Sequence, residues 1–544
     1  MKQRVHSAVE SLRSRLGDRA PWLALAGAAL VVFGSVSPWA TFAGFPGKMS
    51  LSGFPGGARV FSLLLALAAP LLFTKVRGAA RAVLGTSAAT VVVVGWNLVA
   101  IANDGGGTVN IGWGGWLALF VGALASSGHE HERPALGPLN TFWSVAVVAF
   151  AFLIGLAIVV WGLKIEESSR FVSFLIFVTG IGMAASRLGL TELVSDTTAA
   201  HTKATALCAA AVVAAFPFTQ DGNAYWLRVA ASVGIFACAA VGLNIVVGLA
   251  GLLDLGYIAF VGTGAYVGAL LANAAFTTVH IHLPWIVVVL LGATIASLAG
   301  AAIGAPTLRL EGDYLAIVTL AFGEIFRITA NNWNGLTRGP NGISGVPDFE
   351  LGSYNFADTH RLFGIDLPGD SNYYFVEAIL LAIVILAFTR LGRSRVGRAW
   401  VAIRDDEVAA RAMGVNTARL KLLAFAIGAF LAGAAGTLDA HVNHSVVPDS
   451  YTFLESILLL AAVVLGGMGS VTGAILGSAA LKLIPEKLRF FSDKRLLFFG
   501  IVLIVMMRLR PGGLLPPKQR GHRTGVDTDD PPPQPEPAIG RATA

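Results

Sequence analysis

LGRSRVGRAWVAIRDDEVAARAMGVNTARLK, residues 391–421, is arginine-rich and helix-forming, and it sits between two apolar runs each long enough to cross a bilayer. From Arg390 to Lys421 there are eight basic residues (Arg390, Arg393, Arg395, Arg398, Arg404, Arg411, Arg419, Lys421) against three acids (Asp405, Asp406, Glu407). Membrane proteins concentrate Lys and Arg in their cytoplasmic loops, so this stretch is expected inside the cell. Gly414 followed by Asn416 reads as a helix stop, closing a helical segment from Asp405 to Met413.

Outward from this loop the chain is apolar. With 544 residues, 55% of them hydrophobic and 13% charged, and a mean hydropathy of +0.70, it is a polytopic, all-α membrane protein rather than a soluble one. A window of about twenty residues gives a first cluster of runs near 22–42, 58–75, 81–102, 112–126, 141–163 and 171–187. A second cluster lies near 204–219, 226–248, 253–277, 283–304, 313–330, 373–390, 421–439, 452–468, 471–485 and 495–508. The expectation is therefore about 16 transmembrane helices, roughly six and then ten, divided at the polar interval 190–203. Residues 1–203 form one membrane block, 204–516 a second, and the proline-rich 517–544 a disordered cytosolic tail.

The net charge of +7 and pI near 9.5 do not point to nucleic acid, because the basic residues lie in short loops and at the two ends. Cys208 and Cys238 both fall in apolar runs without metal-ligand spacing. The first apolar run, from Pro21, is long enough to be an uncleaved span.

One span separates the arginine-rich loop from residues 331–372, which must lie outside; they hold five acids (Asp348, Glu350, Asp358, Asp366, Asp370) and two arginines (Arg338, Arg361). Counting back through an even number of spans puts the N-terminus in the cytoplasm, and the C-terminus is expected there too. The loop 487–495 disagrees: it carries four basic residues on the side the count makes external, so a re-entrant pair around Gly466–Gly469 is an alternative for the last spans.

Within the second cluster, GLNIVVGLAGLLDLGYIAFVGTGAY (242–266) has recurrent glycines, which let membrane helices approach closely, and polar Asn244 and Asp254. A carboxylate near membrane depth faces protein or a water-filled path, or sits at the interface. In LRLEGDYLAIVTLAFGEIFRI (308–328), Glu324 and Arg327 share a helix face, as a self-satisfied ion pair or as part of a pathway. GPNGISGVP (339–347) is a turn-rich outer loop.

The chain contains no GxxxxGK[ST] phosphate loop, no HExxH, no GxSxG and no His/Cys ligand cluster, so neither nucleotide hydrolysis nor another enzymatic activity is supported and no cofactor is implied. His441 and His444 beside Asp439 read as an interfacial polar patch, and GHEHERP (128–134) as a polar loop.

Six blocks in order carry a resemblance: GLNIVVGLAGLLDLGY, LRLEGDYLAIVTLAFGEIFRI, GPNGIS, GRAWVAIRDDEVAARAMGV, VVLGGMGS and RPGGLLP. From about residue 204 to 516 the chain resembles the LivM-type permease subunits of branched-chain amino acid ABC importers. The resemblance implies a bacterial inner-membrane subunit that imports branched-chain or related amino acids. Its implied partners are ATP-binding subunits, a second permease subunit of the LivH type, an extracytoplasmic binding protein and the lipid bilayer. In that family the cytosolic loop is a coupling helix docked on the ATPase. The matching residues here are Arg404, Asp405, Asp406, Glu407, Ala409, Ala410 and Gly414, with Val408 where the generic importer pattern has Glu. The expected translocation path comprises Asn244, Asp254, Tyr257, Glu324, Gly466, Gly467 and Gly469. Short amides or urea as substrates, an ion-coupled secondary transporter and a membrane scaffold remain as rival readings. Residues 1–203 are outside the resemblance.

Overall fold

The computed structural model describes residues 91–98, 116, 117, 119, 140–165, 168–187, 189–220, 222–272, 283–307, 314–351, 354–362, 365–487, 500, 504, 508 and 512–515. The expected spans before residue 90, most of the last expected span, GHEHERP and the tail lie outside these residues.

The described chain is mostly helical: α1 (Thr141–Lys164), α2 (Ser168–Arg187), α3 (Leu190–Ala200), α4 (Thr202–Ala215), α5 (Ala224–Asn244, continued by a π turn Ile245–Leu249), α6 (Ile258–Leu271), α7 (Trp285–Thr307), α8 (Tyr314–Asn332) and α9 (Asn334–Thr337) precede a long acidic loop. After it come α10 (Asp370–Arg393), α11 (Arg395–Asp405), α12 (Glu407–Ala412), α13 (Thr417–Val442), α14 (Phe453–Gly466) and α15 (Val471–Lys487). Seven helices among the described residues are long and apolar enough to span a membrane, so the expected count of 16 is not reached in this part of the chain. The polar interval 190–203 is itself helical, in α3 and the start of α4.

Short ribbons accompany the helices. The loop between α9 and α10 closes part of its backbone hydrogen bonding with three antiparallel ribbons: β1 (Ile343–Ser344) with β6 (Ser445–Val446), β2 (Glu350–Leu351) with β3 (Tyr354–Asn355), and β4 (His360–Leu362) with β5 (Ile365–Leu367). A polar loop without helix must pair its N–H and C=O groups somewhere. The His441 and His444 patch serves the same loop, each Nδ1 meeting a carbonyl, of Pro347 (2.8 Å) and Val346 (3.1 Å) respectively.

The chain divides into two compact units. The first takes residues up to Ser232, Phe349–Ala378 and the chain from Lys482 to Leu496; the second takes Val233–Asp348, Ile379–Leu481 and the rest. In the first, Leu163, Phe216 and Leu227 form a core flanked by Trp226, Tyr374 and Leu483. Tyr374 donates its hydroxyl to the Val213 carbonyl (3.0 Å), and Arg228 pairs with Asp370 (3.0 Å). Lys487 is buried there. Its ammonium donates to the carbonyls of Leu163 (2.5 Å) and Ile165 (2.9 Å) at the end of α1 and lies 4.1 Å from the Trp226 ring centre. The charge is thus engaged in capping a helix C-terminus.

In the second unit α6, α7 and α13 pack through glycine. A Cβ on Gly264 would overlap the Gly433 carbonyl, one on Gly436 the Val261 carbonyl, and one on Gly300 the Ala429 methyl. Thr437, fully buried, donates across the seam to the Gly264 carbonyl (3.0 Å). These helices form a seam because small residues admit close backbone approach where lipid supplies no hydrophobic drive.

Candidate functional site

The expected run 253–277 is not one continuous span. Helix α5 ends in the π turn, residues 250–257 run irregularly, and α6 starts at Ile258. A second interruption separates α14 from α15 at residues 467–470. Helices α6 and α14 have 14 residues each. At 1.5 Å per residue each is about 21 Å long, short of a hydrocarbon core of about 30 Å.

Irregular backbone at such a position needs partners for its polar groups, and the sequence supplies them. Asn244, fully buried, accepts from the Gly469 N–H (2.7 Å) and donates to the Ser470 carbonyl (3.0 Å), so one side chain ties the end of α5 to the second interruption. Gly467 (φ +120°) and Gly469 (φ +79°) take left-handed backbone that β-carbons resist. A Cβ on Gly466 would overlap the Gly473 carbonyl. The last carbonyls of α14, on Leu465 and Gly466, accept from Leu514 and Leu515 at 2.9 Å, which gives the RPGGLLP block a role as a helix C-cap.

At the first interruption Asp254 is buried. One carboxylate oxygen accepts from the Gly256 N–H (2.9 Å); Oδ2 is buried without a hydrogen-bond partner. Tyr257, also buried, donates its hydroxyl to the Gly428 carbonyl (2.7 Å). The Ile258 N–H at the start of α6 is received by Ser456 Oγ (3.1 Å) and the Leu255 N–H by Thr319 Oγ1 (3.1 Å), two residues the sequence reading did not single out. Of the expected path residues, the structure therefore brings Asn244 to Gly469 and the adjoining glycines. Glu324 is engaged elsewhere, with Arg327, which also reaches Asp449 at 3.6 Å.

The arginine-rich loop is two helices, not one segment from Asp405 to Met413. Ser394 caps α11 by accepting from the Gly397 N–H (3.2 Å), and Trp400, buried against α13, donates its indole N–H to the Leu420 carbonyl (2.7 Å). Asp405 ends α11. Asp406 takes extended backbone (φ −157°, ψ 105°) and its carboxylate accepts from the Ala409 N–H (2.9 Å), the N-cap that starts α12. Gly414 (φ +84°) turns the chain after α12, as expected of a helix stop.

The charged residues expected to face a partner are largely turned to holding this loop. Glu407 accepts from Lys421 (2.5 Å) and Arg411 (3.1 Å). Burial raises its carboxyl, but the bonds from Lys421, Thr417 and Arg411 outweigh that and hold it below the usual carboxylate range. Arg404 pairs with Asp405 (3.2 Å) and donates to the Gly248 carbonyl (2.7 Å). Ala410 is buried. Beside the exposed charges of Asp406 and Arg411, α12 and its turn present two large apolar side chains outward: Val408 is 77% exposed and Met413 85%. The sequence reading named Val408 only as a departure from the generic importer pattern and Met413 only as the end of a helical segment, although two large apolar residues among the charges of this loop were the available signal.

The family described as branched-chain amino acid transport system / permease component matches residues 225–507. The permease protein LivM of the high-affinity branched-chain amino acid transport system of Salmonella typhimurium is 41% identical over 317 residues, 56% of this chain and 73% of the relative. The LivM protein of Escherichia coli K12 is 43% identical over 294 residues (52% of this chain, 68% of the relative), and LivH of the same strain 27% identical over 287 residues (52% and 91%). No solved structure matches. A family match over more than half of the sequence, on a set of long apolar helices, makes the chain a multi-pass membrane protein of the branched-chain amino acid transport system permease family.

Proposed function

We propose that this chain is the permease subunit of an ABC importer that moves branched-chain or related amino acids into the cytoplasm, driven by ATP hydrolysis on separate subunits. The observation that carries the reading is the loop between α10 and α13: two capped, braced helices that expose Val408 and Met413. Burying an exposed apolar side chain of this size contributes about 1.5–3 kcal/mol, which suits a docking knob for a soluble ATP-binding subunit. The broken helices, cross-braced by Asn244, are the candidate walls of the translocation path, with Asp254 the candidate group for a substrate ammonium. A LivH-type subunit and an extracytoplasmic binding protein complete the proposed assembly. In it, residues 204–516 form the permease domain, residues 1–203 an added membrane block, and both termini are cytoplasmic.

The test is leucine uptake by proteoliposomes holding the complex, with ATP inside, for wild type and for the double variant Val408→Glu/Met413→Glu. Loss of both ATP-binding subunits and uptake in the variant supports the reading. Uptake that ignores ATP and collapses with a proton or sodium gradient replaces it with a secondary transporter, and uptake of urea or short amides in place of leucine moves the substrate class.

A further inference from the structure

Arg404 belongs to the coupling loop by sequence, yet its guanidinium points into the membrane domain. Nη1 donates to the Gly248 carbonyl at 2.7 Å, while Nε and Nη2 hold Asp405 at 3.3 and 3.2 Å. The acceptor is not an ordinary helix carbonyl. Gly248 lies in the π turn, where the next hydrogen bonds widen, Ala250 N–H reaching back to Ile245 (3.1 Å) and Leu252 N–H to Val246 (3.0 Å). A π turn leaves carbonyls out of the regular ladder, and Arg404 satisfies this one.

Gly248 and Gly251 fix the contact on both sides. A Cβ on Gly248 would overlap Asn244 Oδ1 and the Gly469 N–H, so the residue is wedged against the bridge from the end of α5 to the second interruption. Gly251 (φ +72°) lies against Arg404 itself: a Cβ there would overlap the arginine Cγ and crowd its Cβ and Cα. The path is therefore continuous, from Asp405 and Arg404 to Gly248, to Asn244, and to Gly469 and Ser470. Every link is a hydrogen bond or a glycine-tight contact, which gives little room for one end to move without the other.

We propose that Arg404 is a positioning residue that transmits movement of the coupling loop to both broken helices at once, through the Gly248 carbonyl and the Asn244 bridge. This rests on the functional reading above and deepens it: Val408 and Met413 meet the motor, and Arg404 hands the displacement to the path. Arginine suits the role because its planar fork holds Asp405 with one edge and the carbonyl with another nitrogen; a lysine ammonium offers no such fixed geometry.

The experiment compares leucine translocated per ATP hydrolysed by the complete reconstituted complex carrying wild type, Arg404→Met, Arg404→Lys or Gly251→Ala, with Arg395→Met, an exposed arginine of α11, as control. Arg404→Met keeps its ATP-binding subunits and hydrolyses ATP within about twofold of wild type, but translocation per ATP falls about tenfold, the loss expected of a charged hydrogen bond. Arg404→Lys, which keeps the charge, falls in between. Gly251→Ala, attacking the same contact from the other side, uncouples like Arg404→Met, and Arg395→Met matches wild type. An unchanged ratio in Arg404→Met and Gly251→Ala overturns the relay. So does loss of the ATP-binding subunits from Arg404→Lys, which makes the residue a docking contact. Wild-type uptake without ATP sinks the functional reading itself, and the relay with it.

Discussion

Helix α1 is the most apolar of the seven candidate spans, yet only 11% of its most apolar window is buried within the protein, whereas 67% of the less apolar window of α13 is. In water the order would be reversed, since apolar area drives burial there. In a bilayer lipid tails solvate leucine as well as another helix does, so burial follows small residues and polar bonds instead. Helix α13 has both, in Gly428, Gly433 and Gly436 and in Thr437; α1 buries only Ser144, Val148, Gly162 and Leu163. Hydropathy therefore marks which segments enter the membrane, and glycine marks which of them form the interior of the permease.

The sharpest way to break this contrast is to add the same atoms to a glycine in each helix. Gly436→Val would drive side-chain carbons into the Val261 carbonyl, a backbone group that cannot swing away, and should destabilise the domain by about 2–4 kcal/mol. Gly155→Ala in α1 places its methyl where nothing lies within 4 Å. It should be neutral, or stabilising by up to about 1 kcal/mol through helix propensity. Thermal unfolding of the full chain in detergent decides between them; equal losses in both variants would mean that the seam is not what holds α13.

The end of α1 offers a second, smaller effect. Lys487→Met keeps the apolar stem of the side chain but withdraws both hydrogen bonds to the α1 carbonyls and the charge facing Trp226. The expected cost is about 1–3 kcal/mol, confined to the first unit. Amide exchange in the last turn of α1 should quicken while that of α13 stays slow. Quickening spread evenly over both helices would show that Lys487 acts on global stability and not as a cap.

All seven spans were legible in the sequence to within about a turn, namely α1, α4 with the short turn that continues it to Gln220, α5, α7, α8, α10 and α13, because each is a long apolar run. The interruption at residues 250–257 was not. A hydropathy window sums side chains and is blind to backbone continuity, and LAGLLDLG is apolar enough to pass as helix. Gly251, with φ +72°, was the local sign of a break, but glycine is too common in membrane helices for one to stand out. In the loop between α10 and α13, charge gave an expectation about the side of the membrane and little about roles. Asp406, Glu407 and Arg404 look alike as solvent-facing charges in a string of letters; only the three-dimensional structure makes the first a cap, the second a brace to Lys421 and the third a donor to Gly248.

The brace gives the smallest effect and the cleanest control. Because bonds from Lys421, Thr417 and Arg411 hold the Glu407 carboxyl below its ordinary value of 4.5, folding favours its charged form. The stability this lends the loop is fully present above about pH 4.5 and is lost as the pH falls through the lowered value. Glu407 is partly exposed, so screening keeps the contribution below about 1 kcal/mol. Amide exchange of residues 408–412, corrected for the intrinsic pH dependence of exchange, should lose protection on acidification in wild type and be nearly flat in Glu407→Gln. The seam glycines Gly264, Gly433 and Gly436 carry no titrating group, so protection there should ignore pH in both proteins. An equal acid response in the glutamine variant would assign the brace to another carboxylate, with Asp406 at the head of α12 the next to replace.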